Sequence, residues 1–89
     1  MAEVAESVQV TVRYFAAARA AAGAEDERLT VRAGATVADV VSELGCRSEE
    51  LARVLQRCSF LRDGIAVRDQ AVELHSGQTL DVLPPFAGG

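Results

Sequence analysis

The sequence predicts an α+β fold, a mixed sheet packed against helices, and three observations carry that expectation. Apolar and polar residues alternate over residues 8–14, and a short apolar run returns near the end of the chain over residues 79–83. Between them lie two stretches whose apolar residues recur at helical spacing, each preceded by a capping residue. Eighty-nine residues suffice for one domain, able to bury a little over about 60% of its unfolded surface in one modest core. A single unit over residues 1–89 is therefore expected, with residues 84–89 as its tail.

Taken in order, Val8, Val10, Val12 and Tyr14 alternate with Gln9, Thr11 and Arg13, the pattern of a strand with one buried face. Ala16 to Ala22 follow at once as a short helix rich in the best helix former, stopped by Gly23. The acidic run Ala24-Glu25-Asp26-Glu27 reads as a solvated loop, with a docking patch as the alternative. Leu29 and Val31 then alternate with Arg28, Thr30 and Arg32 as a second strand, which closes a wide hairpin around the helix. Ala33-Gly34-Ala35 is a turn. Thr36 is placed as a helix N-cap, with Asp39 three residues on as a variant of the capping box.

Val37, Val40, Val41 and Leu44 share one stripe of that helix, which ends at Gly45. Ser48 caps a further helix whose stripe is Leu51, Val54, Leu55 and Cys58. Ser59 to Arg62 reads as a strand, Asp63-Gly64 as a two-residue hairpin turn, and Ile65 and Val67 as its return. Val72 and Leu74 mark a short segment, His75 to Gln78 a turn, and Thr79 to Leu83 the last strand. A mixed sheet grasping a helix in this order is the β-grasp or ubiquitin-like arrangement. The last strand is expected at the centre, beside the first.

Composition removes several functions. The net charge is −4 and the arginines are scattered among carboxylates, so a nucleic-acid role lacks its basic stripe. An acidic body favours basic protein surfaces instead. All nine cationic residues are arginine, which excludes a phosphate-loop lysine, a Schiff-base lysine and chain attachment to a side-chain amine. Cys46 and Cys58 match no metal-ligand spacing and His75 is the one histidine, so no metal site is expected; each cysteine reads as a buried or partly buried free thiol. His75 beside Ser76 does not make a catalytic triad, since adjacent residues in a turn rarely face each other. The first seven residues hold no signal-peptide core, no stretch is long enough to span a bilayer, and a cytoplasmic location is expected.

The tail Pro84-Pro85-Phe86-Ala87-Gly88-Gly89 remains. Two prolines end any strand and direct the chain outward in a stiff extended form. Two residues without Cβ then let the backbone pass a narrow slot and present the terminal carboxylate in another protein's site. The arm reaches about 20 Å when extended. A frayed terminus is the competing reading. If the arm is functional, its carboxylate needs activation, and attack on the α-phosphate of ATP to give an acyl adenylate is the biological route. This chain has no ATP site, so a partner must supply one.

With these residues in view, the chain resembles the MoaD/ThiS-type ubiquitin-like sulfur carriers over nearly its whole length. The resemblance rests on Tyr14-Phe15-Ala16-Ala17-Ala18-Arg19, on Gly34-Ala35-Thr36-Val37-Ala38-Asp39, and above all on Ser76-Gly77-Gln78-Thr79-Leu80-Asp81-Val82-Leu83 with the tail. Phe15-Ala16-Ala17-Ala18-Arg19, the helix from Ser48 and Pro84-Pro85 bring it closest to the small subunit of molybdopterin synthase. Carriers of the thiazole pathway are generally shorter and lack the two prolines. Arg62-Asp63-Gly64 stands where the family often has an Asn in the turn.

The resemblance implies a sulfur-donor subunit for molybdenum cofactor biosynthesis, non-catalytic by itself. An E1-like adenylyltransferase of the MoeB type, using ATP and Mg, would activate Gly89, and a persulfide would convert it to a thiocarboxylate. The MoaE-type large subunit of molybdopterin synthase would then receive the tail in a heterotetramer, with the catalytic pocket mainly on its side. By position, Gly89 is the reactive residue and Gly88 gives clearance. Phe86, Ala87, Pro84, Pro85, Leu83 and Phe15 are the candidate partner-binding residues, although Phe15 and Leu83 read equally well as core. The alternatives are a carrier for thiamine or cysteine biosynthesis, a ubiquitin-like protein modifier, and a β-grasp interaction module with an inert tail.

Overall fold

The computed structural model describes residues 6–85. Its elements run β1 (Ser7–Tyr14), α1 (Ala16–Ala22), β2 (Asp26–Arg32), α2 (Val37–Gly45), α3 (Glu49–Leu55), β3 (Ser59–Arg62), β4 (Ile65–Ala66) and β5 (Thr79–Leu83). The five strands form one sheet in the order β2-β1-β5-β3-β4. β1 and β2 pair antiparallel around α1, as the hairpin reading requires, and β5 lies parallel to β1 at the centre. This is the β-grasp arrangement.

Alternation fixes which face is buried. Val10, Val12 and Tyr14 of β1, Leu29 and Val31 of β2, Phe60 of β3, and Leu80 and Val82 of β5 all turn into one core. The helices supply Ala18, Val37, Val40, Leu44, Leu51 and Leu55 to the same cluster. A shift of one residue in any strand would send its apolar set to the opposite face, so burial specifies the register.

The local stop and start signals behave as their chemistry dictates. Gly23 takes the left-handed conformation at φ 78° and its N–H returns to the Arg19 carbonyl. Thr36 and Asp39 form the full reciprocal capping box, with the hydroxyl accepting from Asp39 N–H at 3.1 Å and the carboxylate accepting from Thr36 N–H at 3.0 Å. Those bonds draw the Asp39 pKa below its ordinary value. Ser48 accepts from Leu51 N–H and starts α3. Asp63 and Gly64, both at positive φ, make the tight turn between β3 and β4. Asp63 also ties that turn to β5, since its carboxylate accepts from Thr79 N–H at 2.8 Å.

Four expectations are corrected. Asp26 and Glu27 are not loop residues but open β2, where Glu27 sits on the core-facing side opposite Val12. Cys58 lies three residues beyond the end of α3, half-buried, with its thiol bonded to the Val54 carbonyl. Cys46 is exposed, because it caps α2 just past the helical stripe. The return strand after Asp63-Gly64 stops at Ala66, before Val67. The segment around Val72 and Leu74 contributes one bridge, Glu73 to Thr36, and buries Leu74. No helix among the described residues is long and apolar enough to cross a membrane.

Candidate functional site: the groove at the root of the tail

Parallel pairing of β5 with β1 brings the end of one strand beside the end of the other. Tyr14 pairs with Val82, and the next residue, Phe15, donates its N–H to the Val82 carbonyl at 3.2 Å. Phe15 therefore stands next to Leu83, at the point where Pro84 and Pro85 leave the sheet. It is 37% exposed, unusual for a large apolar side chain beside a core. Ser59 pairs with Leu83 from the other side. Phe15, Ala16, Ala17, Ser59, Leu83, Pro84 and Pro85 together line an apolar groove of about 640 Å³.

Backbone geometry shapes the groove. The chain turns from β1 into α1 in one step, with Ala16 at φ 51°, a left-handed value that alanine adopts at a cost. That sharp turn lays the small Ala16 and Ala17 along the groove and leaves Phe15 standing as a wall. Arg13 supports the wall. Its guanidinium lies 5.4 Å from the centre of the Phe15 ring and is fixed by two bonds to Asp81, at 2.8 and 3.1 Å. The hydrogen bonds it donates to Asp81, and then the Asp81 charge, hold the Arg13 pKa above its ordinary value. Asp81 is itself buried although it lies on the sheet face away from the helices.

A second polar network lies under the opposite face. The Tyr14 hydroxyl donates to Glu27 at 2.6 Å, and one Arg47 nitrogen donates to both Glu27 oxygens at 2.9 and 2.8 Å. Burial, and then the bond to Glu27, push the Tyr14 pKa well up. Burial acts upward on Glu27 as well, but the bonds from Tyr14 and Arg47 outweigh it and the net shift is downward. The network fastens β1, β2 and the α2–α3 connection behind the groove.

Of the residues expected to bind partners, Phe15, Leu83, Pro84 and Pro85 are brought together, and the open choice between core and surface resolves toward surface for Phe15 and half-burial for Leu83. Phe86, Ala87, Gly88 and Gly89 lie outside the described residues. Ala16, Ala17, Ser59, Arg13 and Asp81 were not anticipated. Arg13 precedes Phe15 by two and Asp81 precedes Leu83 by two, so strand periodicity alone put each pair on one face. Ser59 needed the β3–β5 register. Among the described residues no group of His, Cys, Asp and Glu could hold a metal ion. Ser76 accepts from Gln9 N–H at 3.1 Å, as a turn post would.

A family model described as the ThiS family matches residues 12–89, from the middle of β1 to the terminal glycine. The chain belongs to the ThiS family. It is 30% identical over 83 residues to the molybdopterin synthase sulfur carrier subunit of Chlamydomonas reinhardtii, covering 92% of this chain and 100% of that protein. Among solved structures, a molybdopterin converting factor subunit 1 from Pyrococcus furiosus superposes with a TM-score of 0.80 at 29% identity, covering 89% of this chain and 99% of that one. SAMP1 from Haloferax volcanii superposes with a TM-score of 0.79 at 27% identity, covering 91% and 99%. The ThiS-family chain thus shares its ubiquitin-like fold with MoaD-type and SAMP-type proteins, and the family match runs through the tail that the groove adjoins.

Proposed function

We propose that this protein is a sulfur carrier that works as the small subunit of a molybdopterin synthase, with Gly89 as the group that bears the sulfur. The observation that carries the reading is the apolar groove at the base of a Pro-Pro-Phe-Ala-Gly-Gly terminus. In that reading the groove gives a partner its grip and the arm gives it the carboxylate. The end-to-end similarity to a molybdopterin synthase sulfur carrier subunit supports the choice of pathway.

In this reading an E1-like enzyme of the MoeB type binds ATP and Mg, and the Gly89 carboxylate oxygen attacks the α-phosphorus, releasing pyrophosphate. A persulfide sulfur then attacks the acyl carbon and AMP leaves. A thiol cleaves the resulting acyl disulfide, forming a disulfide with the sulfur donor and freeing the thiocarboxylate. The tail next enters the MoaE-type large subunit, where the sulfur attacks the pyranopterin precursor and hydrolysis returns Gly89 to a carboxylate. The chain supplies orientation: Phe15 and Leu83 seat the partner, Pro84 and Pro85 aim the arm, Phe86 and Ala87 extend it, and Gly88 allows passage.

The deciding experiment is mass spectrometry of the intact chain after incubation with the adenylating enzyme, ATP and a sulfur source. The expected product carries one sulfur in place of one terminal oxygen, and complementation of cells lacking their own carrier identifies the pathway. A chain that is adenylated yet never gains sulfur would overturn the reading. The likeness to SAMP1, a small archaeal modifier protein by name, favours a second reading in which Gly89 is joined to lysines of target proteins. Isopeptide-linked conjugates in a pull-down would identify it. Having no lysine, the chain could modify others but not extend itself through side-chain amines.

A further inference from the structure

Among the described residues the sheet has a long free edge at β2, and its chemistry points to a second copy of this chain. In the β1–β2 pair, Tyr14 N–H donates to the Glu25 carbonyl and Ala33 N–H donates to the Glu6 carbonyl. Those bonds set the phase of the ladder: Glu27, Leu29 and Val31 direct their backbone groups toward β1, while Asp26, Arg28, Thr30 and Arg32 direct theirs outward. A row of outward N–H and C=O groups on a seven-residue strand is a template for another strand.

Side-chain charge chooses the occupant and the register. Asp26, Arg28, Thr30 and Arg32 also share one sheet face, and among the described residues none of the three charged ones has an ion-pair partner within 4 Å. An antiparallel second copy centred on Leu29 sets Asp26 opposite Arg32 of the second copy, and the reverse, with Arg28 opposite Thr30. Sliding by two residues one way sets Arg28 against itself, and the other way sets Arg28 against Arg32. Like charges directly opposed disfavour both slips. The centred register also makes each outward-facing residue exchange its backbone bonds with another outward-facing one. The two Leu29 side chains, on the core-facing side, meet at the two-fold axis as a close pair that makes no backbone bonds.

We propose that this protein self-associates into a two-fold dimer through antiparallel pairing of β2 edges, joined by reciprocal Asp26–Arg32 ion pairs. β1 stands between β2 and β5, so both grooves and both tails stay open, and the proposal is independent of what Gly89 carries.

Sedimentation equilibrium of the full chain from micromolar to millimolar concentration tests it. A reversible dimer is expected, with Asp26→Arg or Arg32→Asp alone weakening it at least about tenfold and the double swap restoring it to within about threefold. Thr30→Pro removes an outward N–H without touching the β1 ladder, and is expected to abolish the dimer. In the unaltered protein, exchange of the Arg28 and Thr30 amides should slow as concentration rises, while Leu29 and Val31 stay protected throughout. A monomer over the whole range overturns the proposal. So does a dimer whose affinity ignores the swaps, or one in which Arg28 and Thr30 exchange at rates independent of concentration.

Discussion

Tyr14 is the chain's one tyrosine and no tryptophan accompanies it, so tyrosinate absorbance follows a single group. Buried and bonded to Glu27, it is expected to ionise well above its ordinary value of 10.0, and Glu27→Gln should bring the midpoint back down. A raised folded pKa means that Tyr14's contribution to stability is complete below that ordinary value and is lost as pH climbs through the folded one. Glu27 works with the opposite sign. Its pKa is depressed from 4.5, so its contribution is present above that value and fades as pH falls below it. Urea titrations should therefore show a shallower acid limb below pH 4.5 in Glu27→Gln than in the unaltered protein. Glu27 is also where sequence reading fell short. Three acidic residues in a row look solvated, and nothing local announces that Arg47, twenty positions away, waits for one of them. Extending the Val31, Leu29 alternation back by two residues would have placed Glu27 on the buried face.

The elements were legible wherever their signals are local. Thr36 with Asp39, Ser48, Gly23 and Asp63-Gly64 act within a few residues of themselves, and each does what its position in the chain implied. Thr36→Ala should cost about 1 kcal/mol, read as a lower urea midpoint at unchanged slope, because two N-terminal amide bonds of α2 depend on that box. Helix ends without a strong stop were harder to read. The α3 stripe runs on to Cys58 by spacing, but the helix closes at Leu55 and the thiol settles for the Val54 carbonyl. The start of α1 carries strain that composition hides, since a run of alanines gives no hint that its first member sits at φ 51°. Glycine has no Cβ to clash there, and a left-handed alanine costs about 1–2 kcal/mol. Ala16→Gly should accordingly raise stability by about 1 kcal/mol in chemical denaturation, net of the backbone freedom that glycine gains in the unfolded chain. A loss of that size would show that the turn is held by side-chain packing in the groove instead.

At the scale of the molecule, the sheet order decides what the sequence leaves open. Once β5 lies parallel to β1, Phe15 and Leu83 must end side by side, and two residues that read equally as core become the walls of a groove. The same pairing makes body and tail separable: the core closes at Val82, and the prolines begin after Leu83. Changes confined to the arm should therefore leave folding alone and act wholly on transfer. Appending one alanine after Gly89 moves the carboxylate about 3.5 Å past the position a partner's site would hold for it. Misplacement by even about 1 Å can cost a factor of about 100 in a positioned reaction. On the proposed function, in which the adenylating enzyme would grip the groove, thiocarboxylate formation by the extended chain is expected to fall by at least about 100-fold, while its urea midpoint and its affinity for that enzyme stay close to those of the unaltered protein. Equal loss of binding would assign recognition to the terminal carboxylate itself, and undiminished sulfur transfer would remove Gly89 from the chemistry altogether.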